Sequence, residues 1–440
     1  MKAIELLNPT LNFMSGPAAK GAHGPGPFAG LPFLFKESHG CTGQPLMQGS
    51  RLTAGLASPS DSEFVRRLKR AGVAPLGATT APEFGIYCTT ESALHGPTRN
   101  PWNLNHSAGG SSGGSSAAVA AGVVPVASSS DGGGSIRGPA HCTGTFGLKP
   151  SRGRTPNGGK GDGGLFPFGH FHVTTRSVRD SAAFLDLLEG PILGSRYSVP
   201  RPSRPFLDEV GAPPGKLRIG ILRESPLASL VHPDCQAGLD SAARLCVELG
   251  HAVEEASPKL SWPALLDQFL PAWVAILPQG IASIEALTGR KAGPDTLEPM
   301  TLRALEYAKA LTATDLFKAD AVFQLARQAL DQYFLEFDAW LMPTGVTPAP
   351  MLGAFDPSAT DEDVLTYGMR TLAEYSVFTP LLNITGHPVA SVPLFQGESG
   401  LPVGVQIVTR MGDEATLLRL ASQWESAQPW ALRTPSHSIF

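Results

Sequence analysis

Residues 109–140 read GGSSGGSSAAVAAGVVPVASSSDGGGSIRGPA, and this segment leaves the chain few ways to fold. Its first octet, Gly109 to Ser116, has the composition of a flexible linker. Yet Ala117 follows at once and opens AAVAAGVVPVA, an apolar run suited to a buried core. A tether between domains would be solvated, whereas this octet is joined directly to the interior. A second glycine run, DGGGS at 131–135, then makes a tight backbone turn after a candidate buried strand, VVPVASS.

Around this segment helix and strand patterns alternate, which argues for α/β layering. LPFLF (31–35) reads as a short apolar strand after a Gly/Pro turn. Ser60 to Ala71 reads as an amphipathic helix, with Ser60 as N-cap and Glu63 three residues on, as in a capping box. VAPLGAT is a buried strand, and Ser116 to Gly122 a short helix. Residues 176–190 form a helix ended by glycine, and Pro191 to Pro214 a surface loop. LRIGIL (217–222) is a strand, followed by a helix over CQAGLDSAARLCVELG and a strand at HAVEEA. Residues 261–335 are mainly helical and suit a cap over one side of the sheet. DAWLMPT, ASVPLF and VGVQIV return as strands before a last helix near Asp413 to Ser426. No linker interrupts the pattern. One domain over 1–440 is expected, with its core at about 25–225 and 336–430 and a mainly helical, cap-like region at about 226–335.

Hydrophobic residues are 42% of the chain and charged residues 16%, which supports a large buried core rather than disorder. A formal net charge of −4 does not suit nucleic acid or an anionic membrane as the main partner. Cys41, Cys88, Cys142, Cys235 and Cys246 include no CxxC spacing, so reduced, mostly buried thiols are expected rather than a disulfide framework or a zinc site. MKAIELLNPT lacks the apolar region of a secretory signal. No uninterrupted apolar stretch approaches about 20 residues. A cytoplasmic protein without a membrane span is the expectation.

Three glycine motifs compete for attention. Gly159 to Gly164 (GKGDGG) fits GxGxxG but lacks the strand before it and the helix after it, so it reads as a plain loop. GSSGG at 110–114 fits GxSxG and nominates Ser112 as the nucleophile of an α/β-hydrolase-type esterase. That elbow needs a strand running into the serine, whereas PTRNPWNLNHSA is turn-rich, and nothing marks His232, His251 or His387 as its partner. DGGGS differs. Successive glycines let backbone N–H groups converge into an anion-binding nest. Ser135 stands at its end, where acyl transfer needs both a hydroxyl and oxyanion donors. By itself DGGGS also fits an ordinary glycine turn with a surface serine.

As a whole, residues 109–156 resemble the signature block of the amidase signature family. The likeness continues in GPFAGLPFLFKE (26–37), TTAPEFG (79–85), GPTRNPWN (96–103), TRSVRDSAAFL and GLPVGVQIV (400–408), and is weakest at about 260–335. The resemblance implies a single-domain α/β fold whose large twisted mixed β-sheet is flanked by α-helices on both faces. It implies a Ser–cis-Ser–Lys triad of nucleophile Ser135, bridging Ser111 after a cis Gly110–Ser111 bond, and base Lys36. It further implies an oxyanion hole from the backbone of Gly132, Gly133 and Gly134 with Ser135, and supporting roles for Ser112, Ser130, Asp131 and Arg137. The implied activity is amide hydrolysis through an acyl-enzyme, without metal or organic cofactor. Aryl or alkyl amides, carbamates (urethanes), esters and oligoamides are substrate candidates, and the state is monomer or homodimer. A glutamine-hydrolysing subunit of a tRNA-dependent amidotransferase shares the family core and remains an alternative.

The chemistry of such a triad makes its own demand. Lysine acts as a base only when neutral, so its pKa must fall by roughly 3 units, and burial after LPFLF would do this. Two departures stand out. Lys36 lies early, with little chain before it for the one or two helices usual there. Gly132 occupies a position that often bears threonine or a branched residue. The aromatic loop GGLFPFGHFH (163–172) and the Pro-rich loop ILGSRYSVPRP (192–202) are candidates for an apolar mouth.

Overall fold

The computed structural model describes residues 1–18, 21–157, 165–227 and 229–440. Ten strands build the main sheet: β1 (Pro32–Lys36), β2 (Ala74–Thr79), β3 (Val126–Asp131), β4 (Phe146–Lys149), β5 (His170–Thr175), β6 (Arg218–Ile221), β7 (Ala252–Glu255), β8 (Ala339–Pro343), β9 (Val389–Gln396) and β10 (Pro402–Thr409). Their spatial order is β7-β6-β8-β10-β9-β4-β5-β3-β1-β2. β1 runs parallel to β2 and β3, β6 runs parallel to β7 and β8, and the pairings between these outer groups are antiparallel.

Thirteen helices pack on this sheet or on one another among the described residues. They are α1 (Lys2–Leu11), α2 (Glu63–Arg70), α3 (Gly113–Ala120), α4 (Arg137–Thr143), α5 (Val178–Leu188), α6 (Pro233–Glu248), α7 (Trp262–Val274), α8 (Leu277–Thr288), α9 (Pro299–Lys309), α10 (Ala313–Tyr333), α11 (Val364–Thr371), α12 (Pro380–Thr385) and α13 (Glu414–Ala427).

The two-residue period of a strand explains the layering. In β8, Ala339 and Leu341 enter one core with α5, α6 and α13, while Trp340 and Met342 enter the opposite core with α7, α10 and α12. Helices therefore flank both faces, as expected of a strand apolar on both sides. In β1, Phe33 and Phe35 pack with Phe64 of α2 and Phe184 of α5, whereas Leu34 packs with α1 and α3. Lys36 shares the face of Leu34 and so is aimed at the start of α3.

Several expectations need correction. The second half of the Gly/Ser octet, Gly113 to Ser116, is the first part of α3, which begins earlier than Ser116. Its glycines are required by close packing: a Cβ on Gly113 would sit 2.4 Å from Thr90 Oγ1, and one on Gly114 2.5 Å from Thr80 Oγ1. The cap of α2 is Ser62, whose Oγ accepts from the Val65 amide at 3.3 Å, rather than the exposed Ser60. Asp61, between them, is engaged with Thr42 and Lys69, which delays the helix. Residues 170–172, read as loop, open the internal strand β5. One helix, α1, does precede Lys36, burying Ile4, Leu7 and Leu11. The cap-like region is narrower than 226–335, because α6 packs on the sheet and β7 is its edge strand. GKGDGG (159–164) lies outside the described residues.

Residues 262–288 form the one stretch, among those described, long and apolar enough by composition to cross a membrane. They are two helices, α7 and α8, parted at Ala275 and Ile276, and α7 packs along α10. Leu265, Leu266, Phe269 and Leu270 of α7 enter the core.

Replacing Ser62 by alanine removes a helix cap and should lower stability by about 1 kcal/mol. Ser60→Ala should stay within about 0.5 kcal/mol of wild type. Urea unfolding of the two variants side by side checks the placement of the cap.

Candidate active site

Three segments remote in sequence meet at the ends of β1 and β3. Lys36 ends β1, Ser111 and Ser112 precede α3, and the DGGGS turn joins β3 to α4. The Gly110–Ser111 peptide bond is cis, as expected. Lys36 is 1% exposed, and its Nζ makes contacts of 2.7 Å to Ser111 Oγ, 3.1 Å to Ser112 Oγ and 3.1 Å to Ser130 Oγ. Its backbone amide donates to Ser128 Oγ at 2.8 Å, and that oxygen also lies 2.8 Å from His39 Nδ1. Burial pulls the Lys36 pKa down to about 7, against the opposing pull of Asp131 and Glu37. The lysine has the electrostatics its proposed role requires.

The DGGGS turn is built around Asp131. Oδ1 accepts from the Gly134 amide at 2.8 Å, and Oδ2 accepts from the Ile136 amide at 3.1 Å and from Arg137 Nε at 2.9 Å. Asn383 donates to Asp131 Oδ1 at 2.8 Å, and its Oδ1 accepts from Arg137 at 2.6 Å. Gln406 Oε1 takes a further Arg137 N–H at 2.8 Å. Burial pushes the Asp131 pKa up, but the Arg137 charge and the hydrogen bonds of Arg137 and Asn383 outweigh it and hold the carboxyl well below its ordinary range. Asp131 and Arg137 are both fully buried, so each depends on the other.

This arrangement corrects the expected oxyanion donors. The Gly134 N–H is taken by Asp131, so it does not face a ligand. Among the described residues no partner takes the N–H of Gly132, Gly133 or Ser135. Gly134 is still needed as glycine: its φ is 133°, and a Cβ would meet Thr379 Oγ1 at 2.3 Å.

Two cavities flank Ser135. One, of about 110 Å³, reaches between α7, α9 and α11 and is walled by side chains such as Leu270, Met300 and Tyr367. The other, of about 380 Å³, contains Lys36 and Ser111 and the aromatic residues Phe84, Phe166, Phe168 and Phe171. From the aromatic segment, Leu165, Phe166, Phe168, Gly169 and Phe171 line this cavity. The Pro-rich 192–202 loop lines neither cavity; its Tyr197 ring lies under the Arg152 guanidinium.

Ser135 keeps 7% exposure, whereas Ser112 is fully buried and lines neither cavity. Ser112 accepts from Lys36 and donates to the Ser130 carbonyl at 3.2 Å, so its hydroxyl is engaged within the protein and does not face either cavity. No hydrogen bond joins Ser111 to Ser135 among the described residues; such contacts commonly tighten only when substrate is bound. The sequence reading missed His39, Thr379, Asn383, Gln406 and Trp273. Asn383 and Gln406 each left a trace, as polar residues inside the apolar runs PLLNI and VGVQIV.

The family model described as Amidase matches residues 15–418. The chain is 34% identical over 452 residues to the 6-aminohexanoate-cyclic-dimer hydrolase of Pseudomonas sp. (strain NK87), spanning 98% of this chain and 91% of that one. Among solved structures it is similar to 6-aminohexanoate cyclic dimer hydrolase complexed with substrate, with a TM-score of 0.91, 32% identity and coverage of 99% and 94%. It is similar also to a bacterial aryl acylamidase, with a TM-score of 0.86, 25% identity and coverage of 98% and 92%. The chain belongs to the amidase signature family. It is a hydrolase acting on amide C–N bonds.

Changing Arg137 to methionine strands the buried Asp131 carboxylate. Stability should fall by about 3–5 kcal/mol, measured by urea unfolding at pH 7.

Proposed function

We propose that this amidohydrolase cleaves uncharged, largely apolar amides through an acyl-enzyme on Ser135, with Ser111 and Lys36 moving the proton. The observation that carries the mechanism is the 2.7 Å contact of a buried, readily neutral lysine with Ser111 beside the Ser135 cavity. A neutral amine has two N–H groups and one lone pair, so one of its three hydroxyl contacts must donate to it. Ser112 directs its own proton to Ser130 O. Ser111, at the shortest distance, is the natural donor, and that leaves its oxygen ready to accept the Ser135 proton.

In the first half-reaction Ser135 Oγ attacks the carbonyl carbon as its proton passes through Ser111 to Lys36. The N–H groups of Gly132, Gly133 and Ser135 take the oxyanion, each such donor typically contributing about 2.7–4 kcal/mol. Ser111 then returns a proton to the departing nitrogen. Water repeats the sequence on the acyl-enzyme with Lys36 again as base. Carbamates and esters offer similar carbonyls and are secondary candidates.

The charge inventory supports a neutral substrate. Among the described residues the two cavities present only Lys36 and Asp131 as charged side chains, and the mechanism and Arg137 already engage both. A glutamine substrate would place an ammonium and a carboxylate there without ionic partners, which counts against the amidotransferase-subunit reading. A closed amide such as the cyclic dimer in the relative's name, or an anilide, has no such requirement.

Neutral anilides and cyclic amides should be hydrolysed with kcat/KM at least 100-fold above that for glutamine; the reverse ranking overturns the substrate reading. Ser135→Ala should lower kcat by roughly 10⁵–10⁶-fold, and a fluorophosphonate should label wild type at Ser135 alone. Lys36 is active when deprotonated, so kcat/KM should rise with pH to a plateau above about 7. That limb should vanish from the residual activity of Lys36→Ala.

A further inference from the structure

Trp273 sits on α7, in the part of the chain where the family likeness is weakest. Its ring occupies the space that a side chain at position 132 would need: a Cβ there would lie 2.7 Å from Cη2 and 2.9 Å from Cζ3. Gly132 does not have a positive φ, so its backbone would accept another residue. The ring alone excludes one. The indole N–H donates to the Ile86 carbonyl at 3.3 Å, and Phe269 packs against the ring with centroids 5.6 Å apart. Trp273, Ile86 and Ser135 are the residues common to the walls of both cavities.

The proton path decides which cavity takes which part of the substrate. The leaving nitrogen must receive its proton from Ser111, and Ser111 and Lys36 line only the larger cavity. The acyl group therefore enters the smaller one, whose 110 Å³ is less than the roughly 150 Å³ cavity that holds benzene. We propose that Trp273, seated on the bare backbone of Gly132, is a specificity-determining partition that limits the acyl group to about six carbons while leaving the amine side open. This assignment rests on the Ser135–Ser111–Lys36 reading.

The test uses full-length enzyme and 4-nitroanilides of straight-chain acids with four to ten carbons. Wild type should prefer four to six carbons, with kcat/KM at least tenfold lower at ten. Trp273→Ala should raise the ten-to-four ratio at least tenfold, mainly through KM for the long chains. An equal loss for every chain length would overturn the partition.

Gly132→Ala should lower kcat at least tenfold in wild type by displacing the ring, but less than threefold in the Trp273→Ala background. Equal effects in both backgrounds would overturn the packing claim. A readout free of catalysis separates this proposal from the mechanism: thermal stabilisation of Ser135→Ala by butanamide, hexanamide and decanamide. Stabilisation by decanamide only after Trp273→Ala upholds the partition even if Ser135 is not the nucleophile. Equal stabilisation by all three amides without that change refutes it even if Ser135 is.

Discussion

The burial of Lys36 is the condition on which the rest of the site depends. An amine that titrates near neutrality needs burial without a free carboxylate beside it. Its contacts are three hydroxyls, which can give or take a proton without fixing its charge. The two nearby carboxylates are occupied elsewhere. Asp131 is held by Arg137, and Glu37 accepts the amides of Gly49 and Ala81 and lies 3.0 Å from His95 Nε2. Both still raise the lysine pKa, and burial prevails.

The same Asp131 gives the glycine turn its shape. A run of three glycines has large conformational freedom, and its order must come from outside. The carboxylate holds the turn at Gly134 and Ile136, while Arg137, Asn383 and Gln406 hold the carboxylate. Each glycine then meets a different neighbour: Trp273 at Gly132, Phe269 at Gly133 and Thr379 at Gly134. The loop is close-packed on its outer side and presents its unpaired amides beside the cavities.

Much of this was legible in the chain. Side chains of a strand alternate between its faces, so with LPFLFK read as a strand Lys36 shares a face with Leu34. The glycine pattern alone left Ser135 beside an ordinary turn; the likeness of the whole block to the family signature nominated Ser111, Ser135, Asp131 and Arg137, which the fold brings into one neighbourhood. The errors have physical reasons. HFHVTT alternates and is rich in Phe, Val and Thr, but the Gly/Pro-rich stretch before it carried the loop reading to residue 172; β3 and β4 pair with it on either side. The cap of α2 lies at Ser62 because the Asp61 carboxylate is engaged with Thr42 and with Lys69 of the helix itself. The Gly134 amide looked free because no local pattern shows which N–H a buried carboxylate will take.

Periodicity and side-chain chemistry are local properties, and they determined the strand that carries Lys36 and the glycine freedom of the DGGGS turn. The linker-like octet is half turn and half helix, and its composition alone, without the tight space beside Thr80 and Thr90, could not say so. Tertiary structure decided what depends on proximity between distant segments: the lowered pKa of Lys36, the capture of the Gly134 N–H by Asp131, and the place of Trp273 on the walls of both cavities. Burial and electrostatics sum over everything nearby in space, and residues 36, 111, 131, 273 and 383 become neighbours only once the chain has folded.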